Sequence, residues 1–273
     1  MKKLFTSSMS LALVMFCSIT AFAAGSTEIT WYGHSAFKVT TPGGKVLLID
    51  PWLANPANPK GKELVASMDK ADQILLTHSH ADHIGNTVEI AKKTGAKLVA
   101  SYDLMKAMVK YGDFPAKQAE VSGAGNIGGT VTLLGGEVKI TFVHALHSSS
   151  FEYEDKSGPP KSISYAGNPG GFVIAISGGP TIYHTGDTAL YSDMKLIGDL
   201  SRVDVMMACI GDKHTMGPEQ AAVAVELINP VMVIPMHFTS NPSAAETFEA
   251  ALKKRNVKTV YKRMQVNETF AWK

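Results

Sequence analysis

The segment His78-Ser79-His80-Ala81-Asp82-His83, which we call the hexad, decides how this sequence is interpreted. It places three imidazoles and one carboxylate within a single turn of backbone, and zinc and related divalent metals prefer these side chains as ligands. A strand-like run precedes the segment at residues 73–77, and a helix-like run follows it at residues 84–93. Side chains at such a junction are held by a rigid scaffold but face an opening. The segment therefore predicts a metal site.

The N-terminal residues have the pattern of a secretory signal peptide. Lys2 and Lys3 form a positive start, residues 4–19 are largely apolar, and Ala21-Phe22-Ala23 is a small-x-small cleavage site. An apolar stretch this short favours cleavage over a bilayer span, which needs about 20 residues. We expect residues 1–23 to be removed, by a cut after Ala23 or Ala24. The mature protein would be periplasmic or secreted, with no stable membrane association.

The remaining residues, 24–273, suit one domain, since single α/β domains often reach about 250 residues. The whole chain has 26 Lys and Arg against 24 Asp and Glu, and two of the lysines lie in the leader. The mature chain is therefore formally neutral, which argues against a nucleic-acid partner. Its one cysteine, Cys209, lies in an apolar run, so we expect a buried thiol and no intramolecular disulfide. The composition does not fix an oligomeric state.

Hydrophobic periodicity predicts an α/β fold made of two β-then-α halves. Such halves suggest a layered sandwich with helices outside two sheets. A long polar connection, residues 148–170, is of the kind that is functional or disordered. The predicted strands are residues 28–32, 36–40, 45–50, 73–77, 97–100, 129–134, 138–143, 172–177, 181–184, 203–210, 231–235 and 259–261. The predicted helices are residues 84–93, 102–110, 218–228 and 243–255.

Three more candidate ligands occur where apolar runs end. His147, Asp187 and His237 each begin a loop, so all three could meet the hexad at one rim of the sandwich. His144 competes with His147, but residues three apart on a strand point to opposite faces. We favour His147 because it lies beyond the strand.

With seven candidate ligands in this order, the chain resembles the metallo-β-lactamase superfamily, whose hallmark is H-x-H-x-D-H followed by spaced His, Asp and His. One branch is especially similar, the metal-dependent hydrolases related to ascorbate-phosphate lactonases. Four further motifs carry that likeness: Trp31-Tyr32-Gly33-His34-Ser35, Leu48-Ile49-Asp50-Pro51, His184-Thr185-Gly186-Asp187-Thr188 and Thr215-Met216-Gly217-Pro218-Glu219. The export signal and His214 depart from that branch.

The resemblance implies a four-layer αββα sandwich and a dinuclear centre. His78, His80 and His147 would hold one metal, Asp82, His83 and His237 the other, and Asp187 would bridge them. Two zinc ions are expected first, with Mn²⁺, Fe²⁺ or Ni²⁺ feasible for nitrogen and oxygen ligands. His80 favours hydrolysis, since the diiron redox branch has an acid at that position.

The predicted activity is metal-dependent hydrolysis of a small molecule by a metal-bound hydroxide, with Asp82 as the catalytic carboxylate. A lactone, ester or amide is the first choice of substrate. A phosphodiesterase, a β-lactamase or a non-catalytic metal-binding protein are the alternatives. Four other polar residues are candidates for the pocket or for orienting ligands, although each also has an ordinary structural explanation: His34, Asp50, His184 and His214.

Overall fold

The structure is a computed structural model that describes residues 25–154 and 161–273. The predicted leader, residues 1–23, and its cleavage site therefore lie outside the described residues. Among the helices that are described, none combines the length and the apolar character needed to cross a bilayer.

Strands dominate the described chain. They are β1 (Thr27–Trp31), β2 (Phe37–Thr40), β3 (Val46–Ile49), β4 (Gln73–Leu75), β5 (Lys97–Ser101), β6 (Ala124–Gly125), β7 (Thr130–Leu133), β8 (Val138–His144), β9 (Ser150–Tyr153), β10 (Ser162–Tyr165), β11 (Gly170–Ile176), β12 (Thr181–His184), β13 (Val205–Cys209), β14 (Met232–Met236), β15 (Val260–Tyr261) and β16 (Thr269–Trp272). The α-helices are α1 (Gly61–Ser67), α2 (Ala81–Ile84), α3 (Thr87–Thr94), α4 (Tyr102–Tyr111), α5 (Met194–Leu200), α6 (Pro218–Ile228) and α7 (Ala244–Lys254).

These strands form two seven-stranded sheets and one separate hairpin. The first sheet has the order β16-β1-β2-β3-β4-β5-β6, and the second has the order β15-β14-β13-β12-β11-β8-β7. The hairpin pairs β9 with β10. Parallel strands lie in the interior of both sheets, as in β3-β4-β5 and β12-β13-β14, where crossover helices connect them.

The core explains why the central strands are apolar on both faces. In β3, Leu47 and Ile49 pack between the two sheets, whereas Leu48 faces the helices outside. The neighbouring strand repeats the alternation with Leu75 inward and Ile74 outward. Side chains of successive strand residues point to opposite faces, so a strand covered on both sides must be apolar throughout.

Helices cover the outer face of each sheet. Val65 of α1, Ile90 of α3 and Leu104 of α4 pack against the first sheet. Ile197 of α5, Val225 of α6 and Phe248 of α7 join the core of the second. The result is the four-layer αββα sandwich, as the sequence predicted.

Strand ends at one edge of the sandwich supply the candidate site. The hexad follows β4, and His147 follows β8. Asp187 follows β12, and His237 follows β14. These strands belong to different sheets, so the site lies in the cleft where the two sheets meet. Asp50 and His34, which follow β3 and β1, come from the same edge.

The structure differs from the sequence prediction in several elements. Helices α1 and α5 and strand β16 had not been predicted. The polar connection at residues 148–170 contains the β9–β10 hairpin. The predicted helix 84–93 begins later, as α3 at Thr87, because the short helix α2 ends at Ile84 and Gly85 follows it with φ +41. A Cβ atom there would lie 2.3 Å from Trp52 Cα, so the close approach of these two backbone segments requires glycine.

Candidate metal centre

Three imidazoles form the first part of the site, which we call the three-histidine cluster: His78, His80 and His147. His80 Nδ1 lies 3.0 Å from His78 Nε2 and 3.2 Å from His147 Nε2. His78 is fully buried, whereas His80 and His147 are partly exposed. The nitrogens converge on one point that opens toward solvent on the side of His80 and His147.

The tautomer of His78 follows from its neighbours. Thr77 Oγ1 donates its single proton to Asp50 Oδ2 at 2.6 Å, so it can only accept from His78 Nδ1, which lies 3.0 Å away. The lone pair of His78 is therefore on Nε2, the atom that faces His80. A lone pair directed into the cluster is what a metal ligand requires.

The second part of the site contains a carboxylate, and we call it the carboxylate cluster: His34, Asp82, His83 and His237. His34 Nε2 lies 3.0 Å from Asp82 Oδ2, and His237 Nε2 lies 3.7 Å from the same oxygen. His83 Nδ1 is bound to Asp50 Oδ2 at 2.7 Å, which directs His83 Nε2 into the cluster.

Asp187 lies between the two clusters. Its Oδ2 atom is 3.0 Å from His237 Nε2, 3.3 Å from His83 Nε2 and 3.7 Å from His147 Nε2. Gly186 makes this position possible, because it has φ +61 and an added Cβ would lie 2.4 Å from the Gly170 carbonyl oxygen. One carboxylate thus contacts ligand nitrogens of both clusters.

Burial and charge give the two clusters opposite electrostatics. Burial lowers the pKa of His78, His80 and His147, and the neighbouring His83 also lowers the pKa of each of them. Burial also lowers the pKa of His83, but Asp187 and Asp50 outweigh it and raise the net pKa well above its usual value. Burial lowers the pKa of His237 as well, but contacts with Asp187 and Asp82 outweigh it and raise the pKa to about 9. Without bound metal the three imidazoles of the first cluster are thus neutral, and in the second cluster His83 and His237 hold protons, whereas burial lowers the pKa of His34.

The two carboxylates respond in the opposite sense. Burial raises the pKa of Asp187, but His83 and His237 lower it further, and the net pKa lies well below its usual range. Burial likewise raises the pKa of Asp82, while contacts with His237 and His34 bring it well below its usual range. Both side chains are therefore carboxylates at neutral pH.

Several buried polar atoms indicate that these residues fit divalent metal ions. Asp187 Oδ1 and His237 Nδ1 are buried and have no hydrogen-bond partner, whereas His83 Nε2 and His237 Nε2 are paired with Asp187 Oδ2 at 3.3 and 3.0 Å. Leaving buried polar atoms unpaired is costly, so native proteins rarely do it without a ligand or a functional reason. Imidazole nitrogens and carboxylate oxygens are the donors that zinc, manganese and iron accept. Three groups of three or more such donors lie close enough to hold an ion: the two clusters, and a third group formed by His78, His83 and Asp187.

The other predicted site residues occupy different positions. Asp50 accepts hydrogen bonds from Thr77 N, Thr77 Oγ1 and His83 Nδ1, so it orients the imidazole of His83. His184 Nδ1 accepts from Gly186 N, and His184 Nε2 therefore donates to the Ser35 carbonyl. Both nitrogens of His184 are used in holding the turn before Asp187.

Two further histidines belong to neither cluster. His214 is exposed in the turn after β13 and belongs to neither cluster. His144 is exposed at the end of β8, with its ring against Tyr191. The structure thus brings His147, and not His144, beside the hexad.

Sequence reasoning missed two hydroxyl groups that organise the site. Thr77 fixes the tautomer of His78, and its position directly before the hexad could have indicated this role. Ser149 Oγ lies 3.1 Å from Ser79 Oγ and donates to the Ala166 carbonyl, which ties the hairpin to the hexad. No pattern in the sequence marks a serine in a long polar connection for that role.

Comparisons with known proteins agree with this geometry. Residues 28–237 match the family described as beta-lactamase superfamily domain. The chain is 56% identical over 262 residues to a UPF0173 metal-dependent hydrolase of Thermodesulfovibrio yellowstonii, covering 95% of this chain and 96% of that protein. It is 50% identical over 235 residues to another from Anaeromyxobacter dehalogenans, covering 85% and 82%.

A solved structure shows the same architecture. A metallo hydrolase from the archaeon Ignicoccus hospitalis superposes with a TM-score of 0.75 at 29% identity, covering 91% of this chain and 99% of that one. The family match begins in β1 and ends at His237, so it contains every side chain of both clusters.

Proposed function

This chain belongs to the beta-lactamase superfamily and is a metal-dependent hydrolase, and from that premise we propose that it uses two zinc ions to hydrolyse a small lactone, ester or amide. The observation that carries the proposal is the convergence of seven side chains, from four strand ends and both sheets, into two clusters that meet at Asp187. A single mononuclear site would not need two separate sets of donors.

In this proposal each cluster holds one ion. His78, His80 and His147 would bind the first, and Asp82, His83 and His237 the second, with Asp187 contacting both. When bound, such a pair supplies water that is nucleophilic near neutral pH and positive charge for the oxygen under attack.

The residues of the chain supply the positioning. Asp82 is the most exposed of the acidic ligands, and its low pKa keeps it ionised, so it can accept a hydrogen bond from an incoming water. His78, His83 and Asp187 are buried and exclude bulk water from the floor of the site. The substrate would enter past His80 and His147, which are partly exposed.

The test combines metal analysis with hydrolysis assays on the purified chain. We expect two zinc ions per chain and chelator-sensitive hydrolysis of at least one lactone, ester or amide in a panel that also contains β-lactams and phosphodiesters. Asp82→Asn and His80→Ala should abolish turnover, whereas the exposed His214→Ala should retain it.

Each other outcome has a definite meaning. Cleavage of phosphodiesters alone would identify a phosphodiesterase, and cleavage of β-lactams alone a β-lactamase. Two bound metals without hydrolysis of any compound would support a binding role. Full activity of metal-free protein would overturn the proposal.

We also propose that the chain acts in the periplasm or outside the cell, because residues 2–23 have the pattern of a signal peptide. N-terminal sequencing of protein recovered from outside the cytoplasm should begin at residue 24 or 25. Recovery of uncleaved chain from the cytoplasm alone would contradict export.

A further inference from the structure

The β9–β10 hairpin has two unlike faces. Phe151 and Tyr153 point toward helix α4, where the ring of Tyr111 lies 4.2 Å from that of Tyr153 and 6.2 Å from that of Phe151. Phe151 is only 5% exposed. This face attaches the hairpin to the rest of the molecule.

The opposite face is open. Glu152 pairs with Ile163 and Ser150 pairs with Tyr165, and directly paired residues lie on the same face of a ladder. We call these four side chains the hairpin face. Ile163 is 69% exposed and Tyr165 is 65% exposed, although both are large apolar side chains. An aromatic ring and an aliphatic side chain are thus presented beside a carboxylate.

One half of the hairpin face, Ser150 and Glu152, borders the metal centre, whereas Ile163 and Tyr165 do not line the cavity there. Ser150 and Glu152 line a cavity of about 410 Å³ together with Ser79, His80 and Ile84. The Ser79–Ser149 contact fixes the hairpin base against the hexad.

The charge of this cavity is one-sided. Among the described residues that line it, Glu152 is the only acidic one and none is Lys or Arg. An anionic group held in this cavity would meet Glu152, with no cation among the described lining residues to compensate it. A cationic group would meet a carboxylate and, one diagonal step across the hairpin, the ring of Tyr165. Aromatic rings attract ammonium groups through the negative charge of their faces.

We propose that the hairpin face binds the part of the substrate remote from the scissile bond and selects a small cationic group, a quaternary ammonium or protonated amine, carried on apolar carbon. This assignment rests on the proposed function for the reacting end of the substrate. Glu152 and Tyr165 act as specificity-determining residues, and Ile163 supplies apolar contact.

The decisive experiment measures binding and does not depend on turnover. Choline and its uncharged isostere 3,3-dimethyl-1-butanol differ only in replacement of nitrogen by carbon. We expect the zinc-loaded full chain to bind choline at least about tenfold more tightly, a difference of about 1.4 kcal/mol. Glu152→Gln keeps the shape of the side chain and should bring the two affinities within about twofold. Calorimetry or ligand-observed NMR provides the affinities.

A matched control uses the same chemical change elsewhere. Glu63 is exposed on α1 and does not line the cavity, so Glu63→Gln should retain the preference of the unmodified chain. Equal affinity of the two alcohols for the unmodified chain, or an undiminished preference in Glu152→Gln, would overturn the inference.

Hydrolysis of the acetate esters of the same two alcohols separates this inference from the proposed function. If neither ester is cleaved but choline is preferred through Glu152, the hairpin face stands and the ester assignment fails. If both are cleaved with equal kcat/KM and the alcohols bind equally, the hydrolase assignment stands and the hairpin face does not select charge.

Discussion

The three-histidine cluster and the carboxylate cluster have similar donors but different charge states. In the first, burial and neighbouring imidazoles keep His78, His80 and His147 neutral, with a lone pair of His78 already directed inward. In the second, carboxylates keep His83 and His237 protonated. The comparison teaches that side chains already placed to bind a metal need not already be in the protonation state that binds it. One cluster is ready for a cation, and the other must first release protons.

The largest expected effect comes from removing Asp187, which is the counter-charge shared by His83 and His237. In the metal-free chain, Asp187→Ala should lower the free energy of unfolding by about 3 kcal/mol, because the buried, protonated His83 and His237 lose the counter-charge they share and keep only Asp50 and Asp82 beside them. His80→Ala should cost far less, since His80 is partly exposed and neutral. Urea denaturation of both variants with chelator present provides the comparison, and equal losses would contradict the electrostatic difference between the clusters.

Metal binding should depend on pH through the carboxylate cluster. In the metal-free chain His237 is protonated below about pH 9, and a metal binds only the neutral imidazole. Affinity at this cluster should therefore rise as pH increases from 6.5 to 9, about tenfold per pH unit for each proton released. The neutral three-histidine cluster should show almost no change over the same range.

Zinc titration in weakly buffered solution measures these protons directly. The chain should release protons at pH 7.5, and His237→Gln should release about one fewer. Proton release that is unaffected by this substitution would place the protons elsewhere. His147→Gln, in the neutral cluster, is the matched control.

A smaller effect is expected from His34, whose Nε2 lies 3.0 Å from Asp82 Oδ2. His34→Ala removes the hydrogen bond that orients this carboxylate, and such losses weaken metal affinity by about 10–100-fold. The loss should be confined to one of the two ions, and competition with a chromophoric chelator resolves the two affinities. An equal loss of affinity for both ions would show that His34 acts on the whole centre.

The smallest effect is expected from His214, which is exposed and belongs to neither cluster. His214→Ala should change the free energy of unfolding by no more than about 0.5 kcal/mol and leave metal content unchanged. A lost metal in this variant would reveal a role that its position does not suggest.

The sequence predicted the sandwich and the meeting of the seven ligand positions because both depend on local pattern. Buried strands such as β3 and β13 are apolar throughout. Each candidate ligand follows a strand, although β8, before His147, alternates buried with exposed residues. Helix α6 was predicted at its bounds because Pro218 marks its first turn.

Other features depend on tertiary contact and could not be read from pattern. Strand β16 is short and alternates exposed with half-buried residues, and it is defined by pairing with β1. The hairpin is held by Tyr111, which is distant in sequence. The protonation of His83 depends on Asp50 and Asp187, which come from different sheets, so no local window contains the charges that determine it.

Cys209 ends β13 beside the site, fully buried, with its Sγ atom 3.6 Å from the Thr188 carbonyl oxygen. Burial raises the pKa of its thiol to about 11. The thiolate is the nucleophile that attacks an alkylating reagent, so Cys209 can react only after the surrounding strands separate and expose it. The reactivity of the Cys209 thiol therefore reports how often the two sheets open. Its rate of alkylation, with and without added metal, would report how much the bound ions slow the opening of the two sheets.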